Sequence, residues 1–154
     1  MDSRKEMGGC REIPPSDAFS EMEIPLTPSA RSTQWLRKNG FIVAKVEQII
    51  HMPNAPFPLK RDAFYFGDLL IAQKGFGAAL VQVTSSDHVS HRVNKINGIP
   101  QDPKDERCVR ETELAHSYAR IWLASGNRIF VHGWAKRGPR GAKKKWTLTE
   151  MEIL

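Results

Sequence analysis

A chain of 154 residues is the length of one ordinary domain, long enough to bury a real core and too short for two comfortable ones. Its 40% hydrophobic and 26% charged residues exclude a disordered chain, and no apolar run reaches the roughly 18 residues of a membrane helix. The net charge of +6 suits a polyanionic partner, because Lys and Arg placed on phosphates release counterions.

The polar start "MDSRKEMGGCREIPPSD" has no signal-peptide apolar region, so the expected location is the cytoplasm, with no membrane partner. Cys10 and Cys108, one in an expected tail and one in an expected loop, make neither a disulfide framework nor a Cys-rich metal site, and both are read as free thiols. Residues 1–28 mix Gly, Pro, Ser and alternating charge without helical or strand period and read as a mobile tail; residues 29–154 read as a single domain. The domain opens with a short helix from about Ser29 to Lys38, with Trp35 and Leu36 inward and Gly40 as its stop. "FIVAKVEQII" is the first strand. "HMPNAPFPLKRDAFYF" carries three prolines within a few residues and is expected to be a loop. "DLLIAQ" and "AALVQVTS", joined by "KGFG", follow as two central strands buried on both faces.

In "SDHVSHRVNKING" the period becomes helical, with Val89, Val93 and Ile96 on one face and His88, Arg92 and Lys95 as a basic stripe on another. A loop from Gly98 to about Arg110 leads to the helix "ETELAHSYARIWLASG", whose expected apolar side is Leu114, Tyr118, Ile121 and Trp122. Two strand-like runs, "RIFVHGWAKR" and "KKWTLTEMEI", close the chain around the basic turn "GPRGAKK". The expected fold is an α/β sandwich of order α-β-β-β-α-β around a central mixed sheet, with an extra C-terminal strand.

An ionised carboxylate at the start of a buried strand is costly unless it is paired, hydrogen-bonded or bound to a cation. Asp68 either caps a turn after Gly67, or pairs with Arg61, or points with Gln82 of the next strand into one pocket. Hairpin strands lie ~4.8 Å apart, so in the last case the two side chains can reach a single hard cation. Glu47, at the end of the first strand, offers a second carboxylate if it faces the hairpin, and is otherwise an exposed strand-end glutamate. Asp62 in "KRDAF" is assigned to Arg61 or Lys60.

"GDLLIAQ", "LVQVTSS" and the basic amphipathic helix after them resemble the PD-(D/E)xK nuclease superfamily. More closely, "LRKNGFIVAKVEQ", "RDAFYFGDLLIA", "QVTSSDHVSHRVNKI" and "WLASGNRIFVHGW" are similar to small resolvase-like proteins of phages and bacteria, over residues 31 to about 136. The resemblance implies a restriction-endonuclease-like fold and a Mg²⁺- or Mn²⁺-dependent DNA endonuclease, resolvase-like and able to act as a homodimer on two symmetric strands. By position it places the metal-binding aspartate at Asp68, the acidic ligand at Gln82 and the water-activating lysine at Thr84. Two of the three positions depart, giving a divergent QxT motif: a glutamine oxygen ligates without charge, and a threonine supplies no ammonium. Lys95 or Arg92 is a candidate to supply that charge, with a solvated helix face as the other reading of both.

Lys136, Arg137, Arg140, Lys143, Lys144 and Lys145 lie within ten residues around a Gly-Pro turn, beside Trp134 and Trp146. With His88, Arg92 and Lys95 they are the expected nucleic-acid contacts, and the tryptophans are expected in the core. No nucleotide-binding glycine motif, lipase-type serine elbow or HExxH pattern occurs, so no nucleotide cofactor is expected. His88 and His91 lack a third zinc ligand. The reading is therefore a metal-dependent DNA endonuclease, or a catalytically inactive nucleic-acid-binding or complex-forming module of the same fold.

Overall fold

The structure, a computed structural model, describes residues 25–154. The tail assignment up to residue 24, and Cys10 with it, lie outside the described residues. Helix α1, Pro28–Lys38, starts where Thr27 Oγ1 accepts the Ala30 amide at 3.2 Å and where Pro28 occupies the first turn, a position that has no helical N–H partner to lose. Gly40, with φ +85°, turns the chain out of the helix. Strands β1 (Ile42–Lys45), β4 (Leu69–Gln73), β5 (Gly77–Ser85), β6 (Arg128–Arg137) and β7 (Lys145–Ile153) form one mixed sheet in the order β1-β4-β5-β6-β7. All neighbours are antiparallel except β5 and β6, which run parallel. That parallel pair needs a crossover, and it is made by a 3-10 turn (Ser86–His88), helix α2 (Val89–Ile96) and helix α3 (Glu106–Ala124).

The fold is thus mixed α/β with helices on both faces of a five-stranded sheet, and it differs from the sequence reading in four places. The stretch 41–50 is two strands: the Val46 amide donates to the Asp68 carbonyl at 3.0 Å as the last bond in the β1–β4 register, the chain then leaves the sheet, and β2 (Gln48–Ile50) pairs with β3 (Leu59–Arg61) as a separate hairpin. β3 lies inside the stretch assigned as a loop; it forms because Leu59–Arg61 follow the last proline, Pro58, and have free amides for a ladder. Helix α3 begins at Glu106 rather than after Arg110, since Asp105 caps it through the Arg107 amide at 2.9 Å, and so Cys108 is helical. Its buried stripe is Thr112, Ala115 and Ala119, with Trp122 and Leu123 half-buried against the core, while Ile121 is 62% exposed: the two alanines are the side chains packed closest on the sheet.

Alternation along the strands sends Leu80, Ile129 and Val131 towards α2 and α3, and Leu69, Ile71, Val81 and Phe130 towards α1. On the α1 side a polar triad is buried among these residues. Trp134 Nε1 donates to Ser32 Oγ at 2.8 Å, and His132, fully buried, meets Ser32 Oγ through Nδ1 at 3.1 Å and Glu150 Oε2 through Nε2 at 2.9 Å. The Glu150 carboxylate only accepts, so Nε2 donates to it, while Ser32 Oγ, which accepts from the indole, has both a second lone pair and its own hydrogen to offer Nδ1. Ser32→Ala strands both the indole and the imidazole, and is expected to cost about 2–3 kcal/mol in urea unfolding. Among the described residues, no helix is long and apolar enough to cross a membrane.

Candidate functional site

The segment "DAFYFGD" places two aspartates at the ends of one tight turn. Ala63 and Gly67 exchange backbone hydrogen bonds at 2.8 Å, and Phe64 (φ 53°) and Tyr65 (φ 68°) both take the left-handed region. Two consecutive non-glycine residues there cost of order 1 kcal/mol or more each, and packing has to offset it. It does: Phe66 is fully buried, Tyr65 stacks parallel on Tyr118 of α3 at 6.1 Å, and Phe64 packs on Tyr118 and Trp122 at 5.7 and 6.0 Å. The strained turn thereby fixes Asp62 beside Asp68 at the entrance to β4.

Asp68 stands one residue before β4, its amide donating to the Val81 carbonyl at 3.0 Å, and its side chain meets that of Gln82 on the face that carries α2 and α3. Its Oδ2 accepts from the Val83 amide at 2.6 Å and from Gln82 Nε2 at 2.7 Å. Because Oδ2 serves as an acceptor for the backbone, Gln82 has to present its NH₂ there, which leaves its Oε1 without a hydrogen bond from any described residue. Burial, the largest influence, together with the Asp62 and Glu47 carboxylates, pushes the Asp68 carboxyl up to about 7 against the opposing Val83 hydrogen bond. Asp62 is close enough to accept a hydrogen bond from the protonated carboxyl. Glu47 is held below its ordinary value by Lys45 at 2.9 Å and, with burial opposing, by Lys60 at 3.3 Å. Glu47 and Asp62, with Lys45, Arg61 and Phe64, line a groove of about 530 Å³ next to this cluster.

The structure therefore brings Asp68, Gln82, Asp62 and Glu47 to one end of the sheet. Asp68 makes no ion pair with Arg61, and Lys60 pairs with Glu47 rather than Asp62. Thr84 follows two residues after Gln82 on the same face of β5 and is 8% exposed. Lys95 is directed elsewhere: its Nζ lies 4.0 Å from Glu111 Oε2, in a cleft of about 490 Å³ between α2 and α3 that His88, His91, Arg92 and Arg107 also line. Arg92 and Lys95 accordingly share the cleft with each other and not with Asp68. Lys136, Arg137, Arg140, Lys143, Lys144 and Lys145 are all exposed around the β6–β7 turn, which leaves the sheet at the same end as Asp68. Trp134 is in the core, whereas Trp146 is 41% exposed, with the Arg31 guanidinium 3.8 Å from its ring centre.

Asp62 is the site residue whose role sequence reasoning placed wrongly; the signal was the pair of aspartates bracketing a five-residue turn. Arg31 had no such signal, since its partner is 115 positions away. No family model, curated protein or solved structure matches the chain.

Proposed function

We propose that the protein is a divalent-metal-dependent DNA endonuclease that hydrolyses phosphodiester bonds, with the restriction-endonuclease-like order of elements and a resolvase-like site. The observation that supports this reading best is the contact between Asp68 and Gln82 on adjacent central strands, with Asp62 and Glu47 close enough to raise the Asp68 carboxyl. Carboxylates crowded into a half-buried place repel one another, and a hard cation relieves that repulsion. Among the described residues, no three His, Cys, Asp or Glu side chains form a ready-made metal cluster. The donor set is nevertheless of the right chemistry: Asp68 and the unengaged Gln82 Oε1 would hold Mg²⁺ or Mn²⁺, with Glu47 as the further carboxylate. Such a cation acidifies water and stabilises charge on the phosphate. Within the chain, Val83 holds the Asp68 carboxylate in place from the backbone, and Gln82 orients it from the side chain. With Thr84 at the lysine position, the ammonium groups nearest the acidic cluster are those of Lys45 and Lys60 on Glu47. The cationic hairpin and the α2–α3 cleft would take the flanking phosphates.

A second reading, a catalytically inactive binding module of the same fold, is favoured by one specific observation: the Gln82 amide is spent on Asp68 and Thr84 brings no charge. Branched and linear DNA incubated with Mg²⁺ or Mn²⁺ distinguishes the two. Wild type is expected to nick or cut, and Asp68→Ala to lose at least a hundredfold in rate. DNA bound equally by both proteins and cut by neither establishes the module instead.

A further inference from the structure

The exposed indole of Trp146 sits on the α1 face of the β6–β7 hairpin. Register pairs it with Lys136, whose Nζ lies 5.4 Å from the ring centre, and Arg31 of α1 covers the ring at 3.8 Å. A buried aromatic between two strands needs no such dressing; this ring is dressed by two cations and still keeps 41% of its surface in water. The Arg31 Nε is buried without a partner among the described residues, so packing on the indole, rather than hydrogen bonding of Nε, holds the guanidinium in place. A shallow hollow of about 230 Å³ continues from Arg31 along Gln34 and Lys38. Beyond Lys136 the hairpin turn adds Arg137, Arg140 and Lys143, all exposed.

We propose that Arg31, Lys136 and Trp146 form a stacking platform for an unpaired base, and that the hairpin and Lys38 hold the phosphates on either side of it. Base faces stack on an indole, or on a guanidinium plane laid over one as Arg31 is over Trp146, whatever their identity, and the cations at the ring neutralise the backbone, which is the combination that selects single-stranded segments over duplex. In a closed duplex the base faces are already stacked on one another and give the ring nothing to meet. The platform stands about 17 Å along β6 from the level of Gln82, at five residues of roughly 3.3 Å each, and on the opposite face of the sheet. A strand held there passes over the end of the sheet to reach Asp68. The inference rests on the nucleic-acid partner proposed above and not on catalysis.

The test is equilibrium binding of the full chain in EDTA to oligo-dT, to a duplex of the same length and to heparin, with salt titrations. Wild type is expected to prefer oligo-dT. Trp146→Ala should lose roughly 5- to 100-fold for oligo-dT alone, with the salt slope unchanged, and Trp146→Phe should recover most of it. Lys143→Ala should weaken all three ligands and lower each slope by about one unit. Circular dichroism establishes that the Trp146 variants fold, and the Phe variant keeps the test open if the Ala variant does not. Unchanged oligo-dT binding by Trp146→Ala, an equal loss for heparin, a preference for duplex, or no binding to any of the three would each overturn the platform. Selective oligo-dT binding by a wild type that cuts nothing with Mn²⁺ defeats the endonuclease reading and leaves the platform standing.

Discussion

Replacing Asp68 by Asn is expected to raise the melting temperature at pH 8 by about 5–10 °C and to leave it almost unchanged at pH 4, at roughly 2–4 °C per kcal/mol for a chain of this size. The sign follows from linkage. The carboxyl titrates at 3.8 when exposed in the unfolded chain and near 7 in the fold. Below about pH 4 both states are protonated at this group and it costs the fold nothing. Between about 4 and 7 the unfolded chain releases its proton while the native state keeps it, so stability falls with rising pH, by an amount of the order of 2–4 kcal/mol. The amide introduced by Asp68→Asn copies the protonated form: its Oδ1 takes the hydrogen bonds from Val83 and Gln82, and its Nδ2 donates towards Asp62. The difference between the two proteins, measured by thermal denaturation from pH 4 to pH 8, reports Asp68 together with the neighbouring carboxylates coupled to it and cancels the titrations elsewhere in the chain. Identical pH profiles would show that the carboxyl is not strained by its surroundings.

The same substitution separates stability from activity. If the acidic cluster is a cation site, protons and Mg²⁺ compete for Asp68. Magnesium then raises the wild-type melting temperature more at pH 8 than at pH 6, cleavage increases through about pH 7, and Asp68→Asn gains stability while losing both responses. A residue that destabilises its own fold at neutral pH is explicable when function requires the charge.

What could be read from the chain follows the range of the forces involved. Helix α1, strands β4 and β5 and the hairpin β6–β7 were legible because period, caps and turn glycines are local signals, and those elements lie within a residue or two of where the pattern puts them. The Asp68–Gln82 contact was also legible, since a short turn between β4 and β5 sets their register and register sets which side chains share a face. The β2–β3 hairpin was not: three prolines dominate its neighbourhood, and its pairing depends on two three-residue strands with little pattern between them. The facing of α3 was half legible: Trp122 does pack against the core and Leu114 is half-buried, but Ile121 and Tyr118 are exposed, and the stripe that sits closest to the sheet, Ala115 and Ala119, carries little hydropathy. The acidic cluster was half legible: Glu47 and Asp68 stood out as strand-end carboxylates, but only the left-handed turn at Phe64 and Tyr65 brings Asp62 to them.

Gly133→Ala is the second substitution with a large expected effect, a destabilisation of about 3 kcal/mol. Gly133 lies in the middle of β6, paired with Thr84 on one side and Thr149 on the other, so its backbone cannot move without opening two ladders. A Cβ there would stand 2.2 Å from Val89 Cγ2 and 3.1 Å from the Ser86 Cα. Both neighbours belong to the crossover that begins as β5 ends, and the glycine is what lets the 3-10 turn and α2 settle on the sheet. The clash with Val89 can be removed by a second substitution, whereas the approach of the Ser86 backbone cannot. Val89→Ala alone is expected to cost about 2 kcal/mol as a buried side chain is truncated. The double variant should therefore be less destabilised than the sum of the two by about 1–2 kcal/mol, read from denaturant midpoints in a double-mutant cycle. Strict additivity would mean that the strain is borne by Ser86 alone. In either case the turn that carries His88 is displaced from β6, and if the α2–α3 cleft and Trp146 take nucleic acid as proposed, oligonucleotide binding through the cleft should weaken while binding at Trp146, on the other face, is retained.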